Sequence, residues 1–520
     1  MGGVRDGAAL TRRGLLVGIG AAGGAGAMYA AMGALGLAPD EQDKSFTPPR
    51  PGDFSLRGRA SAKVVILGGG VAGLTAAYEL GKAGYDCTVL EARSRAGGRN
   101  LTLRRGDRLT ELNGPAQDVR FGEGVYFNAG PGRIAPWMVT LDYCRELGVP
   151  IETFVNNNAG AYVHTNGTTV RARTARADMY GYVAELLAKA TNIGALNRTL
   201  TKDDRERLLE FLRRFGDLGP RYAYEGSPRR GFARYPALDG GVPTEGPGSL
   251  HEVLAAATGR AITSDFGHEQ ATPMFQPVGG MDAIVTRLAA AVGADRIRTG
   301  VRVTGITDRA DGVEVTWNGG SLRADYCIAT LPPHLLAKIP HNLGPQVTTA
   351  LRTPVPVSTG KIGLEYGRRW WELDDRIYGG VTETDLDITH IWYPSHDYHA
   401  ERGVLVGYYN TDEHAELYGA LTPEDRRRRA ITQGRKIHGD TYGKGLLSAV
   451  SIAWERQEHI QGGWVRWPSF DSSFTLLQRP AGRVYFAGDW LTRLIAWQAG
   501  AMESARDVVT RLHQRVLQSS

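Results

Sequence analysis

Apolar and polar positions fall into distinct blocks along this 520-residue chain, and the sharpest block begins at Lys63. Val64 to Leu67 is an unbroken apolar run, the pattern of a strand buried on both faces. It enters a turn containing Gly68, Gly70 and Gly73. Apolar residues then recur at Val71, Leu74, Ala77, Tyr78 and Leu80, a helical spacing. Gly84 ends that pattern, and a second apolar run, Cys87 to Leu90, stops at Glu91. Strand, glycine turn, helix, strand and acid together suit an adenine dinucleotide. Gly68 permits the tight turn, Gly70 lets backbone approach a pyrophosphate, and Gly73 lets the helix sit close to the strand. Free N–H groups and the positive dipole end of the helix face the phosphates. Glu91, roughly 20 residues on, is placed to accept from ribose hydroxyls. The motif alone leaves FAD and NAD both open.

Further blocks change the picture. Ala92-Arg93-Ser94-Arg95-Ala96-Gly97-Gly98-Arg99 is a second close-approach loop with cations to meet a pyrophosphate. Phe127 to Ile134 is a glycine–proline turn (Gly130, Pro131, Gly132) that presents Arg133. Residues 170–215 show helical spacing with many charges, the signature of a mostly exposed helical insertion. Ser227 to Ser249, rich in Pro and Gly, reads as a long loop. Residues 301–330 alternate around Asp311-Gly312 and Asn318-Gly319-Gly320, predicting a meander that ends in a strand from Tyr326 to Leu331. Lys361 to Tyr366 alternates as a strand, and residues 388–410 predict two more. A buried strand from Gly482 runs into Gly488 and Asp489, and Ala496 opens a final helix to about Val516. This second strand–glycine–helix unit can cap the other phosphate of the same dinucleotide.

Composition adds limits. Net charge is +6, and the basic runs Arg426 to Arg429 and Arg229-Arg230 are short and lack interleaved aromatics. They read as solvated faces, not as a nucleic-acid surface. Cys87, Cys144 and Cys327 are far apart in apolar segments, so no disulfide framework is expected, and neither cysteines nor histidines show metal-ligand spacing. Thr11-Arg12-Arg13-Gly14-Leu15-Leu16 opens a segment without charge until Asp40. Paired arginines before a weakly apolar run predict a twin-arginine export signal cleaved after Ala38, with an exported or envelope-associated product. The run is also long enough for a retained anchor, although its glycine content argues against one. After cleavage no stable membrane span is expected.

In this order the blocks resemble the flavin-containing amine oxidases, and the L-amino-acid oxidases among them most. The resemblance runs from about Lys63 to Leu512. It rests on Gly-Gly-Gly-Val-Ala-Gly, Leu-Glu-Ala-Arg-Ser-Arg-Ala-Gly-Gly-Arg, Phe-Gln-Pro-Val-Gly-Gly-Met281, Lys361-Ile-Gly-Leu, Tyr393-Pro-Ser-His and Tyr-Phe-Ala-Gly-Asp489. It implies an α/β fold in which a Rossmann-type FAD domain is assembled from residues 62–130, 276–340 and 448–520. A mixed-sheet substrate domain with a helical insertion would come from 131–275 and 341–447. Residues 1–38 would be the export signal and 39–61 a linker.

The resemblance also implies roles. Val71 and Ala72 would line the pyrophosphate turn, Glu91 and Ala92 the adenosine ribose, and Val303 the adenine side. Arg99 and the Gly130–Arg133 turn would flank the flavin. Asp489 and Ala496, Trp497, Gln498, Ala499, Gly500 and Ala501 would close the other end. Arg133 and Tyr393 would hold a substrate carboxylate, Trp497 would wall an aromatic slot, and Lys361 would hold a water against flavin N5. Asp489 stands where glutamate is commoner, and Ala499 where an acid is usual. Trp464 stands where monoamine oxidases carry the cysteine that bonds FAD, which implies non-covalent FAD. The expected reaction is oxidative deamination of an L-amino acid by O2, giving a 2-oxo acid, ammonia and hydrogen peroxide. Phe232, Tyr235, Trp371 and Trp497 point to an apolar or aromatic side chain. A mono- or polyamine oxidase, an amide-forming amino-acid 2-monooxygenase and a flavin-binding protein without turnover stay open, as does a homodimer.

Overall fold

The computed structural model describes residues 54–255, 262–263, 266–270 and 273–519. The expected export signal and most of the linker lie outside them. The described residues fall into two compact units, one drawn from Val170–Ile262, the other from Pro49–Thr169 and Thr263–Ser520.

In the larger unit, β1 (Lys63–Leu67) leads through the glycine turn into α1 (Val71–Lys82) and then β2 (Asp86–Leu90). Three distant strands complete the sheet: β3 (Ile297–Arg298), β4 (Tyr326–Ala329) and β5 (Val484–Phe486). The order is β3-β2-β1-β4-β5, all parallel, with Val64 paired to Cys87 on one side and Tyr326 on the other. Val64 and Ile66 pack on Ala76, Ala77 and Leu80 of α1 and on Val508, Val509 and Leu512 of the last helix, α2 (Gln498–Ser519). Val65 and Leu67 face the opposite way and pack with Val313 and Val315. Covering on both faces is why these strands read as unbroken apolar runs. The meander appears as Val303–Arg309, Gly312–Trp317 and Gly320–Ala324, antiparallel, and feeds β4. The three cysteines are buried, and burial pushes the Cys87 and Cys144 thiols up to about 12 and raises that of Cys327 too.

A second sheet, mixed in direction, has seven strands. Its order is Leu446–Ala453, Thr359–Tyr366, Gly403–Thr411, His390–Tyr393, Gly380–Thr384, Tyr162–Thr165, Thr168–Arg171. The pairing of Gly380–Thr384 with Tyr162–Thr165 is parallel, and its other pairings from Leu446–Ala453 to Gly380–Thr384 are antiparallel. All eight residues of Thr359–Tyr366 are buried. Alternation there marks a change of surroundings from face to face, with Ile362, Leu364 and Tyr366 in an apolar cluster and Lys361 on the other side.

The smaller unit is led by the helices Ala172–Asn192 and Lys202–Gly216, the second opened by a capping box between Thr201 and Asp204. A Cβ on Gly216 would lie 2.4 Å from that of Ala184, so glycine sets how closely the helices approach. Within the expected long loop, Pro228–Arg230 forms a 3-10 turn, and Phe232–Arg234 pairs with Val242–Pro243. The buried Arg230–Asp178 pair fastens it to the first helix. Among the described residues no helix is long and apolar enough to cross a membrane.

Candidate functional site

The carboxyl ends of β1, β2 and β4 open onto a cavity of about 360 Å³. Gly68 turns the chain there with φ of +100°, and a Cβ on it would lie 2.8 Å from the Thr330 hydroxyl. That hydroxyl donates to the Leu67 carbonyl at 2.8 Å. No atom lies within 4 Å of where a Gly70 Cβ would be, so backbone is bare to the cavity at that point. A Gly73 Cβ would come 2.0 Å from the Gly68 carbonyl oxygen. Gly73 therefore does not line the cavity; it lets α1 start against the turn. Glu91 is held by two backbone donors, Gly69 N–H and Arg93 N–H, each at 2.8 Å. Its carboxylate keeps lone pairs for a diol. Ala92 lies beside it. Arg93 donates to the Gly98 carbonyl at 2.9 Å, and burial lowers its pKa.

Further along, Arg99 donates to the Gly463 carbonyl at 2.7 Å and is ion-paired with Asp489. Asp489 also accepts from the Ala496 N–H at 3.0 Å. Ala496 is exposed at the rim with φ of +70°, a strained conformation for a residue with a side chain. A Gly130 Cβ would lie 1.9 Å from the Arg99 carbonyl oxygen, so the Gly130-Pro131-Gly132 turn fits only as glycine there. Gly488, Gln498 and Ala501 complete this end, with Trp497 half-buried in the wall.

Two cations mark the far end. Arg133 lies over the Trp392 ring, with its guanidinium 4.7 Å from the centroid, and donates from Nη2 to Gln270 Oε1 at 2.6 Å. Its Nε is buried without a partner, and burial lowers its pKa. Lys361 donates to the Gly130 carbonyl at 2.5 Å and sits over the rings of Trp392 and Tyr409, 5.0 and 4.7 Å from their centroids. Burial, and then the charge of Arg133, bring its pKa down from 10.5 to about 7.

Besides Gly73, four expected site residues and three aromatic candidates fall outside this lining. Tyr393 is fully buried and lines a smaller cavity that shares Gly132, Lys361 and Trp392 with this one, while its hydroxyl is 2.7 Å from Thr382 Oγ1 and 2.8 Å from His438 Nε2. Neighbours on a strand point to opposite faces, and it is Trp392 that faces the cavity. Val303 packs into the core at the start of the meander. Ala499 is core, beside Leu74 and Met502. Gly500 sits against the Leu494 carbonyl, where a Cβ would come within 2.2 Å. Trp371 is core, and Phe232 and Tyr235 belong to the helical unit, so of the four aromatics expected near substrate only Trp497 lines the cavity. Sequence reading missed Trp392 and Tyr409, which strand parity would have found, and Gln270, Asn100, Trp454 and Trp490, for which the chain offers no local signal.

A dinucleotide-type parallel sheet opening onto a cavity with aromatic walls and two buried basic side chains is the arrangement of a cofactor-binding site. The model of the flavin containing amine oxidoreductases matches residues 71–513, and the chain belongs to that family. A flavin-dependent L-tryptophan oxidase of Lentzea aerocolonigenes is 30% identical over 495 residues, covering 86% of this chain and 97% of that one. An L-amino-acid oxidase of Bothrops pauloensis is 27% identical over 470 residues, covering 86% and 88%. Cyclohexylamine oxidase from Brevibacterium oxydans shares the fold with a TM-score of 0.62 at 18% identity, covering 88% of this chain and 99% of that one.

The donor set fits a flavin cofactor. Both polar atoms of the Asn100 amide, Gln498 Nε2 and Trp490 Nε1 are buried without partners, and all three residues line the cavity. Buried polar atoms are nearly always satisfied, so the cavity is shaped for something that carries both donors and acceptors.

Proposed function

We propose that the protein oxidatively deaminates an L-amino acid with an apolar or aromatic side chain, using non-covalent FAD and O2. One observation carries this reading: a buried arginine, Arg133, faces the cavity with Nε unpartnered, and no described carboxylate lies within ion-pair distance of it. An anionic substrate group that replaces its lost hydration makes that burial tolerable. The relatives named as L-amino-acid oxidases support the same choice over simple amines. The non-covalent assignment is supported by the cavity lining, where Trp464 is present and no cysteine is found among the described residues.

Flavin, when bound, would supply an acceptor for the hydride from Cα and a route for its two electrons to O2. Arg133 grips the carboxylate and so fixes where Cα lies. Trp392, Tyr409 and Trp497 wall the side chain and exclude water. Lys361 holds a mobile proton at Nζ, available at neutral pH for the reduction of O2 to hydrogen peroxide. The imino acid then hydrolyses in water to the 2-oxo acid and ammonia. The Arg12-Arg13 leader fits export of the folded, loaded enzyme.

Anaerobic mixing of the holoprotein with each L-amino acid, followed at the flavin absorbance, tests this reading. Bleaching by amino acids and peroxide on readmitting air are expected. Bleaching only by amines would favour an amine oxidase, an amide product by mass spectrometry a monooxygenase, and no bleaching at all a protein without turnover.

A further inference from the structure

Among the described residues Arg133 makes no ion pair. The one polar contact of its guanidinium among them is with the neutral amide of Gln270, Nη2 to Oε1 at 2.6 Å. Glu269 and Glu383 are near enough for their fields to reach Arg133, yet neither makes an ion pair with it among the described residues. Gln270 is itself fastened. Its N–H donates to the Gly267 carbonyl at 2.9 Å, and its carbonyl accepts from Asn156 Nδ2 at 3.1 Å. The chain that carries Arg133 meets the chain that carries Gln270 at two more points. The Trp137 ring stacks on His268 at 4.8 Å, and Ile134 exchanges backbone hydrogen bonds with Phe275 at 2.8 and 2.9 Å. Together these contacts tie the two segments to each other, and the Gln270 amide meets the guanidinium at Nη2.

We propose that Gln270 is a positioning residue that determines specificity: it orients Arg133 for a substrate carboxylate while leaving its charge unneutralised. This rests on the reading that Arg133 binds a carboxylate. An acceptor is needed at this position to stop the guanidinium from turning on the Trp392 face. A carboxylate acceptor would orient it equally well but would occupy it with a permanent ion pair. Only a neutral acceptor does the first without the second. Glutamine therefore commits the site to amino acids, and a glutamate in its place would favour amines.

The test compares wild type, Gln270→Ala, Gln270→Glu and Arg133→Ala as flavin-loaded proteins with matched visible spectra. Probes are L-phenylalanine, L-tryptophan and L-leucine, each with its decarboxylated amine, and benzoate as a carboxylate that cannot be oxidised. Anaerobic flavin reduction gives apparent dissociation constant and limiting rate separately. For Gln270→Ala, amino acid and benzoate binding should weaken about tenfold while the limiting rate stays within about twofold, as for a lost hydrogen bond to a charged group. For Gln270→Glu, the weakening should reach about 100-fold, with amine oxidation preserved or improved. Equal losses for acid and amine, or a fall in limiting rate alone, would overturn the assignment. Arg133→Ala separates the two levels: if it leaves the preference for amino acids intact, the carboxylate reading fails. If it abolishes that preference while Gln270→Glu does nothing, only the role of Gln270 fails.

Discussion

Burial, and after it the charge of the neighbouring Arg133, bring Lys361 to titrate near pH 7 where an exposed lysine would titrate near 10.5. Two consequences differ in sign. For stability, the unfolded chain keeps the proton over this interval and the folded chain does not, so stability rises with pH from about 7 to about 10.5. For activity, the cation is the useful form, so the rate of flavin reoxidation by O2 should fall as pH rises through about 7. Lys361→Met should remove that break and lower the rate about 100-fold, measured by stopped-flow mixing of reduced enzyme with O2. At the opposite end, Asp489 is committed to Arg99 and to the Ala496 N–H. Asp489→Asn should cost about 2 kcal/mol in urea unfolding, since it weakens hydrogen bonds to a charged group. Free flavin fluorescence should appear at lower denaturant than in wild type.

At the scale of elements, the strand His390–Tyr393 shows what the chain discloses and what it hides. The family resemblance implies a substrate role for Tyr393, but its hydroxyl belongs to Thr382 and His438, and His438 is in turn 2.7 Å from Asp375. Which of two adjacent strand residues faces a site depends on which side of the sheet is covered, and that is decided by elements far along the chain. Tyr393→Phe should leave turnover within about twofold yet lose about 1–3 kcal/mol by leaving buried polar partners unsatisfied. Trp392→Ala should do the reverse in kinetics and weaken amino-acid binding, because it removes the face under both cations. A null effect of Trp392→Ala on binding would place substrate elsewhere. By contrast, β1, α1 and β2 were legible with their turn, because strand, turn and helix follow one another along the chain and Gly73 answers to the Gly68 carbonyl; the contact of Gly68 with Thr330 was not legible. Lys361 was legible as a strand residue, though its burial on a covered face was not.

For the whole molecule, the parallel sheet draws strands from residues 63–90, 297–329 and 484–486. Fold class was readable from the first unit and its distant partner at Gly488. Strand order was not, nor were the strands Gly380–Thr384 and Leu446–Ala453, since nothing local says which edge a returning chain joins. Gln270 was silent for the same reason: a lone glutamine gains meaning only from the arginine 137 positions away. A sheet assembled from such separated segments, with buried polar atoms turned toward the cavity, gains much of its order from what fills it. Removing the flavin should lower the thermal midpoint by several degrees. Free flavin at about 1,000 times its Kd should restore about 4 kcal/mol, seen by calorimetry with and without added cofactor.

The three cysteines bear on endurance. An oxidase that releases hydrogen peroxide meets its own oxidant at the highest concentration anywhere in solution, and thiolates are what peroxide attacks. Cys87, Cys144 and Cys327 are all buried with their thiols pushed up, so none offers a thiolate at neutral pH. After many turnovers, unfolding in the presence of a thiol reagent should still count all three. The chain thereby keeps its thiols out of reach of its product, and its working life is set by other residues.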